Sequence, residues 1–229
     1  MKNCLFLAAI IFLSSTGYSQ EGKKFIVQAG NSISDVVSLK DIYSYSDFIE
    51  GKVSFKNGTT YNARLNYNLF SAQMQFINRK GDTLELANEN TIKNVLIGRD
   101  TFFYDRQYFR LLAGTHNIKL AVQQRIIVAD KQKIGAFGQP GSGAGVETVD
   151  RVVQINKLSL LENTILSKVT KYYLGDTYNQ FVPLTRKEIM KMFSLHQNDI
   201  KRYLDESLID FNKQEDLIKV INFLQNLAA

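Results

Sequence analysis

Between residues 45 and 130 the apolar positions recur at every second residue, and this period constrains the chain more than any other feature. Val53 and Phe55 alternate with Lys52, Ser54 and Lys56, while Tyr61, Ala63, Leu65 and Tyr67 alternate with Asn62, Arg64 and Asn66. Successive side chains of a strand point to opposite faces, so such runs build a sheet with one apolar and one polar face, as antiparallel pairing allows. Asn57-Gly58 lies between them and is a strong hairpin signal, because both residue types tolerate positive φ. The unit recurs loosely. Met74 and Phe76 lead through the turn at 78–82 to Leu84 and Leu86, and Val95 and Ile97 lead through Gly98-Arg99-Asp100 to Thr101–Tyr104. Ile118, Leu120 and Val122 form another alternating run, continued by Ile126 and Val128. Strands joined by short turns imply a meander, and curling it protects its edges. Phe25-Ile26-Val27 reads as a further strand, and 38–45 as a loop or short helix.

The alternation ends at 129–150. Gly135, Gly138, Gly141, Gly143 and Gly145 fall within eleven positions, with Pro140 and Ser142 among them, and the stretch 135–149 reads as a mobile loop. Beyond it, 152–161 and 165–174 read as two strands with a turn at 161–164. The C-terminal part changes period. Thr185-Arg186-Lys187-Glu188 is a capping-box pattern ahead of Ile189, Met192 and Phe193. Ile200, Tyr203, Leu204 and Leu208 suit a second helix. Asn212-Lys213-Gln214-Glu215 resembles an Asn-capped box before the apolar stripe Leu217, Ile221, Leu224 and Leu227. The fold class expected is therefore α+β: a curled antiparallel β-meander, barrel-like or half-barrel, over 20–183, with a three-helix segment over 184–229.

The first nineteen residues read as an address. Lys2 precedes an unbroken apolar run from Cys4 to Leu13, and small polar residues follow, with Gly17 and Ser19 placed for cleavage between Ser19 and Gln20. That order is a secretory signal peptide, and ten apolar residues are too few to span a bilayer. Cys4 stands at the start of the apolar run instead of following it, which argues against a lipoprotein. It is also the single cysteine, so a mature chain starting at Gln20 has no disulfide and no thiolate site. The expected location is periplasmic or extracellular, with no transmembrane span.

Charge and residue supply narrow the chemistry. The 28 Lys and Arg against 22 Asp and Glu are interspersed and form no basic stripe of the kind nucleic-acid binders carry. The two histidines, His116 and His196, lie far apart in sequence and do not make a zinc motif. Gly141-Ser142-Gly143-Ala144-Gly145 lacks both the third dinucleotide-binding glycine and a Walker ending, and Pro140 breaks the nucleophile-elbow pattern. The carboxylate pairs Asp205-Glu206, Glu215-Asp216 and Asp82 with Glu85 leave one enzymatic route, a hydrolase with facing carboxylates. No cofactor is expected. Tyr104, Tyr108, Tyr172, Tyr173 and Tyr178 form aromatic groupings that read as a candidate interaction surface, since tyrosine offers contact area with a polar tip.

The strings 51–58, Leu65-Asn66-Tyr67-Asn68, Met74-Gln75-Phe76-Ile77 and Gly81-Asp82-Thr83-Leu84 resemble exported proteins of unknown function from Bacteroidota. Phe181-Val182-Pro183-Leu184, Ile209-Asp210-Phe211 and Glu215-Asp216-Leu217 are similar to their C-terminal ends. The resemblance implies export from a Gram-negative cell and no particular activity. The functional expectation is a non-enzymatic binding or interaction module of the cell envelope, with an envelope protein as partner. The alternatives are a β-barrel holding a small apolar ligand and a hydrolase with paired carboxylates.

Overall fold

A computed structural model describes residues 22–134, 140–143 and 163–227. The expected leader and Ser19–Gln20 cleavage site, Gly135, Gly138, Gly145 and the strand expected at 152–161 lie outside the described residues. Twelve strands among those described form one antiparallel sheet. They are β1 (Lys24–Val27), β2 (Ile49–Phe55), β3 (Thr60–Asn68), β4 (Gln73–Ile77), β5 (Thr83–Glu85), β6 (Ile92–Ile97), β7 (Asp100–Tyr104), β8 (Tyr108–Gly114), β9 (Lys119–Ile134), β10 (Pro140–Gly143), β11 (Asn163–Gly175) and β12 (Phe181–Pro183). Their order is β1-β11-β9-β8-β7-β6-β2-β3-β4-β5, with β10 on β9 and β12 on β11. The short helices α1 (Ile33–Val36) and α2 (Leu39–Ile42) follow β1. The helices α3 (Arg186–Met192), α4 (Gln197–Glu206) and α5 (Gln214–Leu227) end the chain.

The sheet curls without closing. The connection after β3 returns to β9, where the Ile126 N–H donates to the Leu69 carbonyl at 2.8 Å, and the Leu69 N–H donates to Ile42 at 2.7 Å. The curl wraps a core in which Val53, Leu65, Met74, Val95, Ile97 and Ile126 are fully buried. Removing such a side chain from water is worth roughly 1.5–3 kcal/mol, so the alternating pattern supplies the main driving force. A second core lies where α3 to α5 cover the sheet: Leu120 and Leu174 from β9 and β11 pack with Ile189, Ile200, Leu217 and Ile221. A third, smaller cluster occupies the opposite face, where Phe109 stacks on Phe181 at 4.4 Å and meets Tyr173 at 4.7 Å.

The antiparallel meander and the helical end agree with the reading from period, while several local details differ. The hairpin at 55–59 is a three-residue loop: Gly58 alone carries positive φ (88°), its N–H donates to Phe55, and the Phe55 N–H donates to Thr59. Asn57 instead accepts from the Thr59 N–H through its side chain. The same backbone device closes 78–82 with Gly81 at φ 90° and 176–180 with Asn179 at φ 61°. This is a type I turn followed by one left-handed residue, which matches the twist of the flanking strands.

The expected break at 129 does not occur. β9 runs on to Ile134, and Gly141 and Gly143, read as loop, stand in β10 opposite Lys133 and Lys131. Pairing to an existing strand overrides the weak strand preference of glycine. The expected turn at 161–164 is likewise displaced, because Asn163 and Thr164 already pair with β9 as the first residues of β11. At the helices, Thr185 caps α3 by accepting from the Glu188 N–H. The start of α5 is fastened differently from the expected Asn212 box. Asp216 accepts from the Asp210 N–H, and Asn212 donates its side-chain amide to Asp210. An aspartate has carboxylate oxygens to offer in both places, and these are stronger acceptors than an amide.

Candidate functional site

β9 places Leu120, Val122, Gln124 and Ile126 on one face, since they alternate without interruption. Leu120 belongs to the helix-covered core and Ile126 to the curl core. Between them the face carries the buried Val122 and then polar residues, and a cleft of about 230 Å³ opens there. Its floor is a cross-strand row fixed by register: Arg110 of β8 stands opposite Val122, and Val122 stands opposite Tyr172 of β11. Gln124 and Thr170 extend the floor, joined by a bond of 3.4 Å, and residues 212–215 at the start of α5 form one wall.

The electrostatics follow from this placement. The Arg110 guanidinium reaches Asp100 at 3.5 Å. The same Asp100 oxygen accepts from the Tyr45 hydroxyl at 2.6 Å, so the carboxylate is held from two sides and fixes where Arg110 points. Burial pushes the Tyr172 hydroxyl pKa up; the Glu215 carboxylate pushes it further up and Arg110 pulls it down. Both charges thus lie within Coulomb reach of one phenol.

The five tyrosines expected to share a surface do not do so. Tyr108 is 1% exposed, packed edge-on against Tyr67 and Tyr104 in the curl core, and Tyr104 is half-buried beside it. Tyr173 is buried in the cluster on the opposite face, as adjacency to Tyr172 on a strand requires. Tyr178 stands 82% exposed at the tip of the 176–180 turn. Tyr172 alone of the five lines the cleft. His116 sits in the β8–β9 turn and its carbonyl accepts from Lys119, while His196 ends a 3-10 turn before α4. Of the acidic residues read as pairs, Asp205 pairs with Arg186 at 2.7 Å, Asp216 with Lys219 at 2.8 Å, and Asp82 accepts from Asn78. Among the described residues no three His, Cys, Asp or Glu converge as a metal site, and no helix is long and apolar enough to cross a membrane.

Arg110, Gln124 and Thr170 had a sequence signal that the reading of motifs passed over. Each interrupts the apolar face of its own strand: Tyr108-x-Arg110-x-Leu112, Val122-x-Gln124-x-Ile126, and Thr170 before Tyr172 and Leu174. Another overlooked residue is Lys119. It is 4% exposed and donates at 2.6 Å to both the His116 and Asp176 carbonyls, with the Phe103 ring 5.7 Å away. No protein family, characterised protein or solved structure matches the chain.

Proposed function

We propose that this chain is an exported, non-enzymatic binding module of the cell envelope and that it makes contact through the cleft between its two cores. The observation that carries the reading is the cleft itself. It is a polar gap in an otherwise apolar sheet face, lined by side chains that donate and accept hydrogen bonds and fixed in place by strand register. The interior of the curl is filled by its own side chains, with Leu65, Leu69, Met74 and Ile126 fully buried, which favours this reading over an apolar ligand held inside the sheet. The leader pattern at 1–19 supports export. The chain from Gln20 onward, and the same chain carrying Arg110→Ala and Tyr172→Ala, are incubated with a Gram-negative envelope extract. A photo-crosslinking residue replaces Gln124 in both. The chain that keeps Arg110 and Tyr172 is expected to yield crosslinked species that fall at least tenfold in the double variant. Equal yields would sink the proposal.

A further inference from the structure

The charge balance of the cleft gives the binding reading above, on which this inference rests, a chemical class. Among the described residues, each charged side chain of the lining has an opposite charge at hand. The Arg110 guanidinium reaches Asp100 at 3.5 Å, and the Lys213 ammonium reaches Asp210 at 3.9 Å. Glu215 stands in the same wall as Lys213 and within Coulomb reach of Lys219. The lining therefore asks for no net charge from a ligand. Its other polar groups are of a different kind. Gln124, Thr170, Tyr172, Asn212 and Gln214 each carry an amide or a hydroxyl, which both donates and accepts. A carboxylate only accepts and an ammonium only donates, so either would leave half of this capacity unused. An alcohol hydroxyl does both at once and matches it.

The floor supplies a second constraint. Register sets Arg110, Val122 and Tyr172 side by side on β8, β9 and β11, spaced by about 4.8 Å per strand. Gln124 and Thr170 make the next row, about 7 Å further along the strands. Val122 and the Tyr172 ring thus form an apolar strip between Arg110, the amide and hydroxyl of the next row, and the wall at 212–215. A pyranose ring is built in the complementary way, with C–H bonds on its faces and hydroxyls around its rim. A linear polyol carries the same hydroxyls without the flat apolar face. The volume of about 230 Å³ is below the roughly 300–1,000 Å³ of pockets that take drug-sized ligands, and it suits one ring in place of several. We infer that the cleft binds a single neutral pyranose sugar, its apolar face on Val122 and Tyr172 and its hydroxyls on the surrounding amides and hydroxyls.

The test titrates the folded chain from Gln20 onward with glucose, galactose, mannose and N-acetylglucosamine. Glucuronate adds a carboxylate, glucosamine at pH 6 adds an ammonium, and sorbitol opens the ring. Binding is read by ligand-observed NMR and by amide shifts of 122–124 and 170–172. At least one neutral sugar is expected to bind there, with sorbitol and both charged sugars at least tenfold weaker. Tyr172→Ala is expected to weaken that sugar at least tenfold. Thr170→Ala, at an exposed position of the same floor, should weaken it by a smaller factor, and far-ultraviolet circular dichroism confirms that both variants fold. The methyl glycoside of the bound sugar separates the two sources of this chemistry: retained binding marks the end unit of a glycan chain, and lost binding marks a free sugar. No shift of the floor amides by any neutral sugar at 10-millimolar order overturns the inference, as does sorbitol or a charged sugar binding as tightly as the neutral ring. Crosslinks that still depend on Arg110 and Tyr172 while no sugar binds would overturn the sugar alone and leave the cleft as the contact site.

Discussion

The two large cores share one face of β9 and are covered in different ways. Around Ile126 the sheet covers itself: the curl brings β2, β3 and β6 over the strand, and one backbone bond from Ile126 to Leu69 marks the return. Around Leu120 the cover is helical: α3 to α5 supply it through Leu217, Ile221 and Leu224. A 16-residue strand is long enough to serve both, at about 3.3 Å per residue. The difference shows why the polar gap lies where it does. Val122 and Gln124 belong to neither core, and Gln124 is only partly buried, so the residues beside it can be hydrophilic without losing contact with water.

The largest effects should come from cutting into either core, and they should reveal whether the two are independent. Leu65→Ala and Ile221→Ala each remove a fully buried side chain. Each is expected to cost about 2–5 kcal/mol in denaturant unfolding. Hydrogen exchange distinguishes the regions. Leu65→Ala should raise exchange first in β2, β3 and β6, and Ile221→Ala first in α3 to α5. If both substitutions speed exchange equally in both places, the cores unfold as one unit and the contrast drawn above is wrong.

Next in size is Lys119, which fastens the β8–β9 turn to the β11–β12 turn at the helix-covered end. Lys119→Met keeps the chain length and removes the ammonium, leaving the His116 and Asp176 carbonyls without that donor. A stripped buried acceptor costs about 1–3 kcal/mol, so a loss of about 2–3 kcal/mol is expected, partly relieved where water reaches the turns. Unchanged stability would mean that burial, which already lowers the Lys119 pKa, offsets the whole of the clamp.

The curl core carries a defect that the helix-covered core lacks. The hydroxyls of Tyr67 and Tyr108 are buried with no hydrogen-bond partner among the described residues, and burial raises both pKa values. Tyr67→Phe and Tyr108→Phe should therefore be neutral or stabilising by about 1 kcal/mol at pH 7. The pH dependence follows. With the folded pKa raised, the unfolded chain releases the phenol proton first. Stability is then lost as pH rises above 10, by about 1.4 kcal/mol per pH unit for each such group. Each Phe substitution should flatten the alkaline limb by that amount. A limb unchanged in the double substitution would place the titration elsewhere.

How much of this was legible follows from what periodicity encodes. It encodes which face a residue joins, so the meander, its hairpins and the apolar stripes of α3 to α5 could be read directly. It does not encode which strands become neighbours. The cleft needs Arg110, Val122 and Tyr172 in one row, and that row depends on the registers of β8 with β9 and of β9 with β11 across some sixty residues of chain. Tyr172-Tyr173 shows a different failure. Their division between opposite faces was already implied by strand geometry, and grouping them by proximity in sequence discarded that information. The glycine stretch misled for a third reason: local propensity describes a strand in isolation, whereas β10 exists by pairing with β9.

The smallest effect belongs to the rim of the curl core, where α2 is tied back to the edge strand. Asp41 accepts from Lys23 at 2.6 Å and from the Ser38 hydroxyl at 2.7 Å. The Lys23 bond, followed by the Ser38 bond, holds its pKa below the ordinary 3.8, against the opposing pull of partial burial. A carboxylate with a lowered folded pKa adds stability that is fully present above its unfolded value and disappears as pH falls through the folded one. The pair is largely exposed, with Lys23 59% and Asp41 24% accessible, so solvent screening limits it to a few tenths of a kcal/mol. Asp41→Asn should lower the midpoint of thermal unfolding slightly at pH 7, less in 1 M salt, and by less and less as pH falls below 3.8 through the lowered folded pKa. The lost contact is at β1 and α2, so exchange should rise there and stay unchanged in α5. A deficit that did not change with pH would show that Asp41 acts by shape at the rim and that its charge contributes nothing.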